Sequence, residues 1–365
     1  MAAKVGVIGA GWAGDLHLEA FAKAGAELVG LYSRTRERAE ETARRHGVAH
    51  VVDSLDELLG LGVDVVSIAS PPPAHHAQTL AAVKAGRHVL CDKPMAMNSV
   101  EAAEMLAAAE EAGVRHATGF IWRNDPALGR LRSLLAEGAI GRVLEIHSTC
   151  PLGAPPMPMH WIYDRDAGGG ALMQHGSHVI DRVRWLLGAE IVSLCGRLLH
   201  DVTDAPVGPE FHNTMKMFGW SRQNLGTPRE DLPRRPVTAD SGYDFLAELD
   251  TGARARFWES THGLGPVEDQ LLVIGEEGSL SWSPRGLEHL RPGRPAERIT
   301  TAAAGSGSST PHEVGMARWV RLTTAFLASL DGGPVDHPTL HDGLQLTRIT
   351  DALHRSHHSR SWESV

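Results

Sequence analysis

Three glycines near the start of the chain have the spacing of a nucleotide-binding turn. In the segment KVGVIGAGWAG, Gly9, Gly11 and Gly14 follow a short β-branched run and precede a predicted helix over 15–23. The first glycine of such a turn permits a tight bend, the second lets a pyrophosphate approach the backbone, and the third lets the helix pack on the strand. Free N–H groups at the helix N-terminus also attract phosphate. The predicted dinucleotide contacts in this turn are Gly9, Gly11, Trp12, Ala13 and Gly14.

The end of the second predicted strand bears on which dinucleotide binds. NAD sites usually carry an acidic residue about 20 residues beyond the glycine turn, where it binds the ribose 2′-hydroxyl. The stretch LYSRTR has no carboxylate: Ser33 stands at the expected place and Arg34 follows it. A hydroxyl beside a planar guanidinium suits a 2′-phosphate. The sequence therefore favours NADP over NAD, with Arg38 as a further contact. A solvent-exposed arginine at a strand–helix turn is the alternative.

Polar residues also follow two later predicted strands, the β-branched run at 63–69 and the segment 88–91. In an open parallel sheet the ligand crevice lies beyond the carboxyl ends of the strands. The tandem histidines His75 and His76 do not predict a metal pair, because adjacent side chains on a helix diverge. The residues predicted to line the cofactor here are Ser70, Pro71, Pro72, His75, Asp92 and Lys93.

The composition excludes several classes of protein. A net charge of −9, without any basic tract, argues against nucleic acid as a partner. The three cysteines, Cys91, Cys150 and Cys195, are too few for a disulfide framework and fit a reducing compartment. No apolar run approaches the length of about 20 residues that spans a bilayer, and no signal peptide precedes the first strand. We therefore expect a cytoplasmic protein without a membrane partner.

The order of the predicted elements indicates an α/β protein with two domains. Strands and helices alternate as far as Phe120, which indicates βαβ units and a parallel sheet. Strands predominate over 191–282, with a long loop at 225–240 and a Gly/Ser-rich linker at 302–310. Helices are predicted over 126–138, 171–187, 314–330 and 340–357. We predict a Rossmann domain at 1–122, an α+β domain with a large, mostly antiparallel open sheet at 123–345, and a C-terminal helix and tail at 346–365.

Several longer motifs resemble one enzyme family. GRHVLCDKPMAMN (86–98) is similar to the strand and E-K-P element of the glucose–fructose oxidoreductase / inositol dehydrogenase / MocA family. GGGALMQHGSHVIDRVRWLLG (168–188) resembles the glycine-rich start of that family's active-site helix. RNDPAL, EGAIGRV and the closing segment DGLQLTRITDALHRSHHSR also fit the family, in the right order. The resemblance implies hydride transfer between NAD(P) and a hydroxyl or keto carbon of a sugar, polyol or related cyclic alcohol.

The resemblance also implies which residues carry the chemistry. The family's motif lysine maps onto Lys93, which would take and return the hydroxyl proton as a general acid/base. Its active-site histidine maps onto His178. Gln174 stands four residues earlier, on the same helical face, where many members have aspartate. An amide can hold a hydroxyl but cannot take a proton, which puts a Lys–Asp–His relay in doubt. Asp92 in place of the usual glutamate is a milder departure.

Other aspects of function follow from the same motifs. The H-x-x-H of His175 and His178 lacks an evident third zinc ligand, so we predict no metal. Two other functions stay open: a glycoside-cleaving enzyme that uses bound NAD(P) for transient oxidation and elimination, and a nucleotide-sensing regulator, which would not need Lys93. A sheet face left uncovered by helices predicts a homodimer or homotetramer. Trp161 and Tyr163, in the loop before the glycine run, could pack against the apolar side of a sugar ring. Ordinary packing of these side chains within the loop is the alternative. The predicted substrate contacts are Lys93, Arg123, Trp161, Tyr163, Arg165, Gln174 and His178.

Overall fold

The computed structural model describes residues 2–151, 157–209, 211, 214–223, 232–261, 268–299 and 310–365. The chain divides into two compact units, Met1–Asn124 with Ser309–Thr347, and Asp125–Ser308 with Arg348–Val365. A segment from near the end of the chain thus packs with the first unit, although the predicted second domain extends to residue 345. The predicted linker at 302–310 lies almost wholly outside the described residues.

The first unit is built on a six-stranded parallel sheet with the strand order β3-β2-β1-β4-β5-β6. This order reverses between β1 and β4, as it does in doubly wound dinucleotide-binding folds. The strands are β1 (Lys4–Ile8), β2 (Glu27–Tyr32), β3 (His50–Val52), β4 (Val65–Ile68), β5 (His88–Cys91) and β6 (His116–Thr118). The helices are α1 (Trp12–Lys23), α2 (Arg36–His46), α3 (Leu55–Gly60), α4 (His75–Lys84) and α5 (Ser99–Glu111). The predicted parallel α/β architecture is confirmed.

Each face of this sheet has its own apolar core. One core combines β-strand residues with Leu58 of α3 and Ala102 of α5, and the other combines alternate strand residues with Phe21 of α1. Leu340 and Leu344 complete the first core, whereas four residues from a helix at 311–330 complete the second. Both faces are therefore covered, as the β-branched, fully buried strands require.

The second unit holds a nine-stranded sheet in the order β16-β15-β14-β13-β7-β12-β11-β8-β17. Only β7 and β12 pair in parallel, so the predicted large and mostly antiparallel sheet is confirmed. The strands are β7 (Val143–Pro151), β8 (Ile191–Leu199), β9 (Asp204–Pro206), β10 (Arg234–Pro236), β11 (Gly242–Leu249), β12 (Arg254–Ser260), β13 (Gln270–Gly275), β14 (Ser279–Ser283), β15 (Gly286–Leu290), β16 (Glu297–Ile299) and β17 (Glu363–Ser364). β9 and β10 form a separate two-stranded ribbon. The remaining helices are α6 (Pro126–Ala136), α7 (Ser177–Leu187), α8 (Thr214–Gln223), α9 (Pro311–Leu330) and α10 (Leu340–Ser359).

Two stretches of the second unit differ from the sequence expectations. α8 lies in a region that was expected to consist mainly of strands, but Thr214 is its only β-branched residue, and Met215 and Met217 favour a helix. The predicted loop at 225–240 contains β10 in its described part. Leu246 on β11 is half exposed, and its partner on the neighbouring strand β12 is the charged Arg256. None of the helices in the described ranges is both long and apolar enough to span a membrane.

Candidate active site

The glycine turn after β1 combines close packing with one open position. Gly9 has φ +112°, and a Cβ on it would lie 2.4 Å from the carbonyl oxygen of Ala69. A Cβ on Gly14 would lie 2.0 Å from the carbonyl oxygen of Gly9, so both positions require glycine. A Cβ on Gly11, in contrast, would have no described heavy atom within 4 Å. The open side of Gly11 is where a ligand phosphate could reach the backbone.

The start of α1 fits an anion site in the same turn. Gly11 is the N-cap, so no side chain occupies the first N–H groups of this 12-residue helix. Trp12 is the first helical residue and is 39% exposed, and Ala13 follows it. The helix N-terminus therefore keeps backbone donors and a partial positive charge for a bound diphosphate.

The arginines after β2 differ in their partners. Arg36 is engaged by Glu40, at 3.0 Å, and by Asp53. Arg34 is exposed and makes no hydrogen bond or ion pair with the described part of the chain. Gly9 N donates to the carbonyl of Tyr32 at the end of β2, which ties this strand end to the glycine turn. The half-buried Ser33 and the exposed Arg34 directly follow Tyr32, the residue that is hydrogen-bonded to the glycine turn.

His75 joins the ends of β4 and β5. Its ring is buried, with Nε2 2.7 Å from the carbonyl oxygen of Ser70 and Nδ1 2.9 Å from that of Pro94. Burial lowers the pKa of this histidine. Ser70 Oγ in turn donates to Gln78 at 2.6 Å. His75 therefore positions the backbone of two predicted cofactor-binding segments, Ser70–Pro72 and the turn that contains Lys93.

Lys93 is half buried and lies two residues beyond the carboxyl end of β5. Its backbone N–H donates to Asp92 Oδ1 at 2.7 Å, and Asp92 Oδ2 lies 3.7 Å from His17 Nε2. Burial alone would raise the pKa of the Asp92 carboxyl, but His17 and Lys93 outweigh it and hold that pKa below its usual value. Arg123, a predicted substrate contact, forms an ion pair with Asp342 at 2.6 Å.

The glycine-rich helix of the second unit begins with a distortion that the sequence did not predict. A π-helical turn over Leu172–Gly176 precedes α7, and such turns are frequent at functional sites. The π turn changes the angle between successive residues. The four-residue spacing of Gln174 and His178 therefore no longer guarantees that their side chains lie on the same face of the helix. Gln174 Nε2 donates to the carbonyl of Gly168 at 2.7 Å, and His178 is 8% exposed.

Asp240 fixes the start of this helix and was missed by the sequence analysis, which assigned it to a loop. Its Oδ2 accepts the N–H of Leu172 at 2.9 Å, and its backbone carbonyl accepts the N–H of Ala171 at 3.1 Å. A Cβ on Gly170 would lie 2.2 Å from Asp240 Oδ1. Burial raises the pKa of Asp240 to about 7. Only its position two residues before β11 could have indicated this capping role.

A second missed group lies between the helix and the sheet. Glu259 is fully buried on β12, where its Oε2 accepts a hydrogen bond from Tyr243 Oη at 2.8 Å. His175 Nδ1 lies 3.3 Å from the same oxygen and 3.8 Å from Cys150 Sγ. Burial, together with Glu259, raises the pKa of Tyr243 well above its usual value. A carboxylate on the apolar side of an alternating strand was the available sequence signal.

The loop before the helix holds the remaining predicted substrate contacts. Trp161 is 38% exposed, Arg165 is exposed, and burial raises the pKa of Tyr163. The carbonyl of Tyr163 accepts the N–H groups of Thr238 and Ala239, which ties this loop to the segment before β11. Within the described ranges, no group of three or more His, Cys, Asp or Glu side chains could hold a metal ion.

Two family models match this chain. Residues 3–120 match the oxidoreductase family with an NAD-binding Rossmann fold, and residues 128–281 match the GFO/IDH/MocA C-terminal domain. The two matches correspond to the parallel sheet with its glycine turn and to the larger mixed sheet.

Characterised proteins are similar over part or all of the chain. Inositol 2-dehydrogenase of Acidothermus cellulolyticus is 32% identical over 364 residues, covering 97% of this chain and 92% of that protein. 1,5-Anhydro-D-fructose reductase of Ensifer adhaerens is 38% identical over 175 residues, covering 47% of this chain and 53% of that protein. Levoglucosan dehydrogenase, solved in complex with NADH and L-sorbose, superposes with a TM-score of 0.84 at 25% identity, over 100% of this chain and 98% of that chain.

These matches extend through both units, and the glycine turn, the Lys93 motif and the glycine-rich helix lie inside the matched ranges. The chain therefore belongs to the glucose–fructose oxidoreductase / inositol dehydrogenase / MocA family of oxidoreductases, and its first unit is an NAD-binding Rossmann fold.

Proposed function

We propose that the protein is an NAD(P)-dependent dehydrogenase or reductase that acts on a hydroxyl or keto carbon of a sugar, polyol or related cyclic alcohol. The relatives named for inositol, 1,5-anhydro-D-fructose and levoglucosan support this class of substrate. The observation that carries the proposal is the placement of Lys93 at the carboxyl end of a parallel strand, in a sheet whose first turn fits a dinucleotide.

The residues of the first unit fit the dinucleotide. Gly9 and Gly14 form a turn that tolerates no side chain, and the open position at Gly11 leaves room for the diphosphate. When bound, the nicotinamide ring supplies the hydride acceptor or donor. We further propose NADP as the preferred form, because Arg34 is exposed and forms no ion pair with a carboxylate of the described residues.

Lys93 would hold and move the hydroxyl proton. In oxidation the proton leaves the oxygen as hydride leaves the carbon, and a neutral Lys93 Nζ accepts it; in reduction Nζ returns it. Asp92 fixes the backbone from which this side chain starts.

The second unit would bind and orient the substrate. Gln174 can hold a hydroxyl through its amide without taking a proton, and His178 can share a hydrogen bond with a hydroxyl. Trp161 and Tyr163 offer aromatic faces for the apolar side of a ring. Arg165 is an exposed donor beside them.

A substrate screen tests the proposal. Purified enzyme is mixed with NAD or NADP and with myo-inositol, levoglucosan or related polyols, and the reverse reaction is tested with 1,5-anhydro-D-fructose and keto-sugars. Formation or consumption of NAD(P)H with at least one of these compounds is the expected result. Cleavage of a glycoside without net change in NAD(P)H would instead support the oxidation–elimination reaction. No turnover with any sugar or polyol would contradict the proposed substrate class.

A further inference from the structure

We propose that His17 is a positioning residue for the reaction, which acts by holding the half-buried Asp92 carboxylate that anchors the backbone of Lys93. The proposal rests on the role proposed above for Lys93. It connects the helix that follows the glycine turn to the proton-transfer lysine through side chains of the first unit alone.

The hydrogen bond between His17 and Ser67 leaves the other ring nitrogen of His17 facing Asp92. The ring is fully buried on α1, and its Nδ1 lies 2.7 Å from Ser67 Oγ on β4. A neutral imidazole has one donor and one acceptor nitrogen. When the Ser67 hydroxyl donates to Nδ1, the ring hydrogen lies on Nε2, which faces Asp92 Oδ2 at 3.7 Å.

The surroundings of Asp92 make this donor important. A Cβ on Gly119 would lie 2.6 Å from Asp92 Oδ1, so only glycine leaves room for the carboxylate there. Trp319 of α9 packs against the His17 ring, with 4.4 Å between the ring centroids. It would also lie 3.1 Å from a Cβ on Gly119. With 13% of its side chain exposed, the Asp92 carboxylate has lost most of its water and depends in part on protein donors.

Both titratable and uncharged groups surround Asp92. His17 comes from α1, Lys93 and Cys91 flank it on its own segment, and His75 comes from α4. Gly119, after β6, and Trp319, on α9, are uncharged. On the other elements, the described contact with the Asp92 carboxylate is that of His17 Nε2 at 3.7 Å, and His17 helps to hold the carboxyl pKa low.

Loss of the His17 donor should therefore let Asp92 protonate at higher pH. A protonated Asp92 is a weaker acceptor for the Lys93 N–H and places no negative charge beside the lysine. Activity should then decline on the acid side of the pH profile, at pH values where the wild-type enzyme is unaffected. A structural role alone would lower stability without moving this limb of the profile.

The test compares four proteins across pH. His17→Phe keeps a ring against Trp319 but removes the donor, whereas His17→Gln keeps an N–H that can reach Asp92. His337→Phe is the matched control, because His337 also contacts an aromatic ring, Phe326, and a serine hydroxyl, that of Ser329, in the first unit. We expect the acid limb of kcat/KM to move up by about one pH unit in His17→Phe, equivalent to about tenfold lower activity at acid pH. His17→Gln should restore most of the shift, and His337→Phe should keep the wild-type profile.

A second measurement separates this proposal from the assignment of Lys93. Carbon-13 NMR of aspartate-labelled protein, with Asp92→Asn to identify the signal, follows the Asp92 carboxyl directly in wild type and His17→Phe. We expect it to titrate at higher pH in the variant. Identical titration, or an unmoved acid limb in an active variant, would overturn the proposal. Retained turnover in Lys93→Ala would instead overturn the role of Lys93, while the NMR result still decides whether His17 holds Asp92.

Discussion

The Asp240 carboxylate accepts the backbone N–H of Leu172 at 2.9 Å and thereby caps the helix that carries Gln174 and His178. Two segments separated by 68 residues are joined by this contact. The glycine-rich start of the helix and the approach to β11 are consequently one structural unit.

Asp240 should make stability depend on pH in an unusual direction for a carboxyl. Its folded pKa, about 7, lies above its ordinary value of 3.8, so the folded state holds the proton more tightly. The stability contributed by the protonated form is complete below about pH 4 and is lost as pH rises through about 7. Asp240→Asn, which stays neutral and still accepts the Leu172 N–H, should lose this dependence. Tm measured from pH 4 to pH 8 checks it, and equal slopes in both proteins would contradict the assignment.

Three histidines should act in the opposite direction. Each accepts a backbone N–H at Nδ1, and burial lowers the pKa of each: Arg115 N donates to His88, Leu340 N to His116 and Leu198 N to His357. Protonation at Nδ1 would break the bond, so the stability they contribute is present above the unfolded pKa of about 6.5 and is lost as pH falls through the folded value. His116→Asn, which keeps an acceptor that does not titrate, should reduce the loss of Tm below pH 6 by about 2–4 °C. An unaltered acid loss would show that His116 is not involved.

Lys93→Ala should reduce kcat by about a hundredfold or more, because general acid–base catalysis contributes on that scale. The affinity for NADP(H), measured by fluorescence titration, should stay close to that of wild type. A decrease of less than about tenfold would count against proton transfer by Lys93.

Arg34→Ala should lower kcat/KM with NADP and leave the value with NAD almost unchanged, because the removed guanidinium is proposed to bind the 2′-phosphate, which NAD lacks. Arg36→Ala is the matched control, since that guanidinium is already engaged by Glu40 and Asp53. Steady-state kinetics with both cofactors measures the ratio. Equal use of NAD and NADP by the wild-type enzyme would remove the basis of this prediction.

Gln174→Glu tests whether the amide, rather than a charge, is needed at this position. The substitution keeps the shape but points a carboxylate oxygen at the Gly168 carbonyl, which the amide N–H contacts at 2.7 Å. Repulsion between the two oxygens should move the side chain, raise KM for the substrate and lower Tm. Gln345→Glu on α10 controls for the added charge. A variant with wild-type KM and Tm would place Gln174 outside the substrate site.

The sequence predicted those features that short stretches of chain determine. Gly9, Gly11 and Gly14 lie close together in the sequence and form the predicted turn, and the predicted strands at 63–69 and 88–91 contain β4 and β5.

What the sequence did not predict depends on distant contacts. Asp240, Glu259 and His17 are ordinary residues until folding brings Leu172, Tyr243 and Asp92 beside them. The π turn at Leu172–Gly176 is also invisible locally, because its residues fit a regular helical pattern. The predicted site residues themselves stay a prediction until the variants above are measured.

The two late helices that complete the cores of the first unit affect how the chain is made. Leu322 and Phe326 of α9 cover one face of a sheet whose last strand ends at Thr118, and Leu340 and Leu344 cover the other. At a translation rate of about 5–20 residues per second, that sheet waits on the order of ten seconds or more for its covering helices. During this interval the nascent nucleotide-binding half exposes apolar surface, so this is the stage of biosynthesis at which a chaperone or rapid completion of the chain matters most.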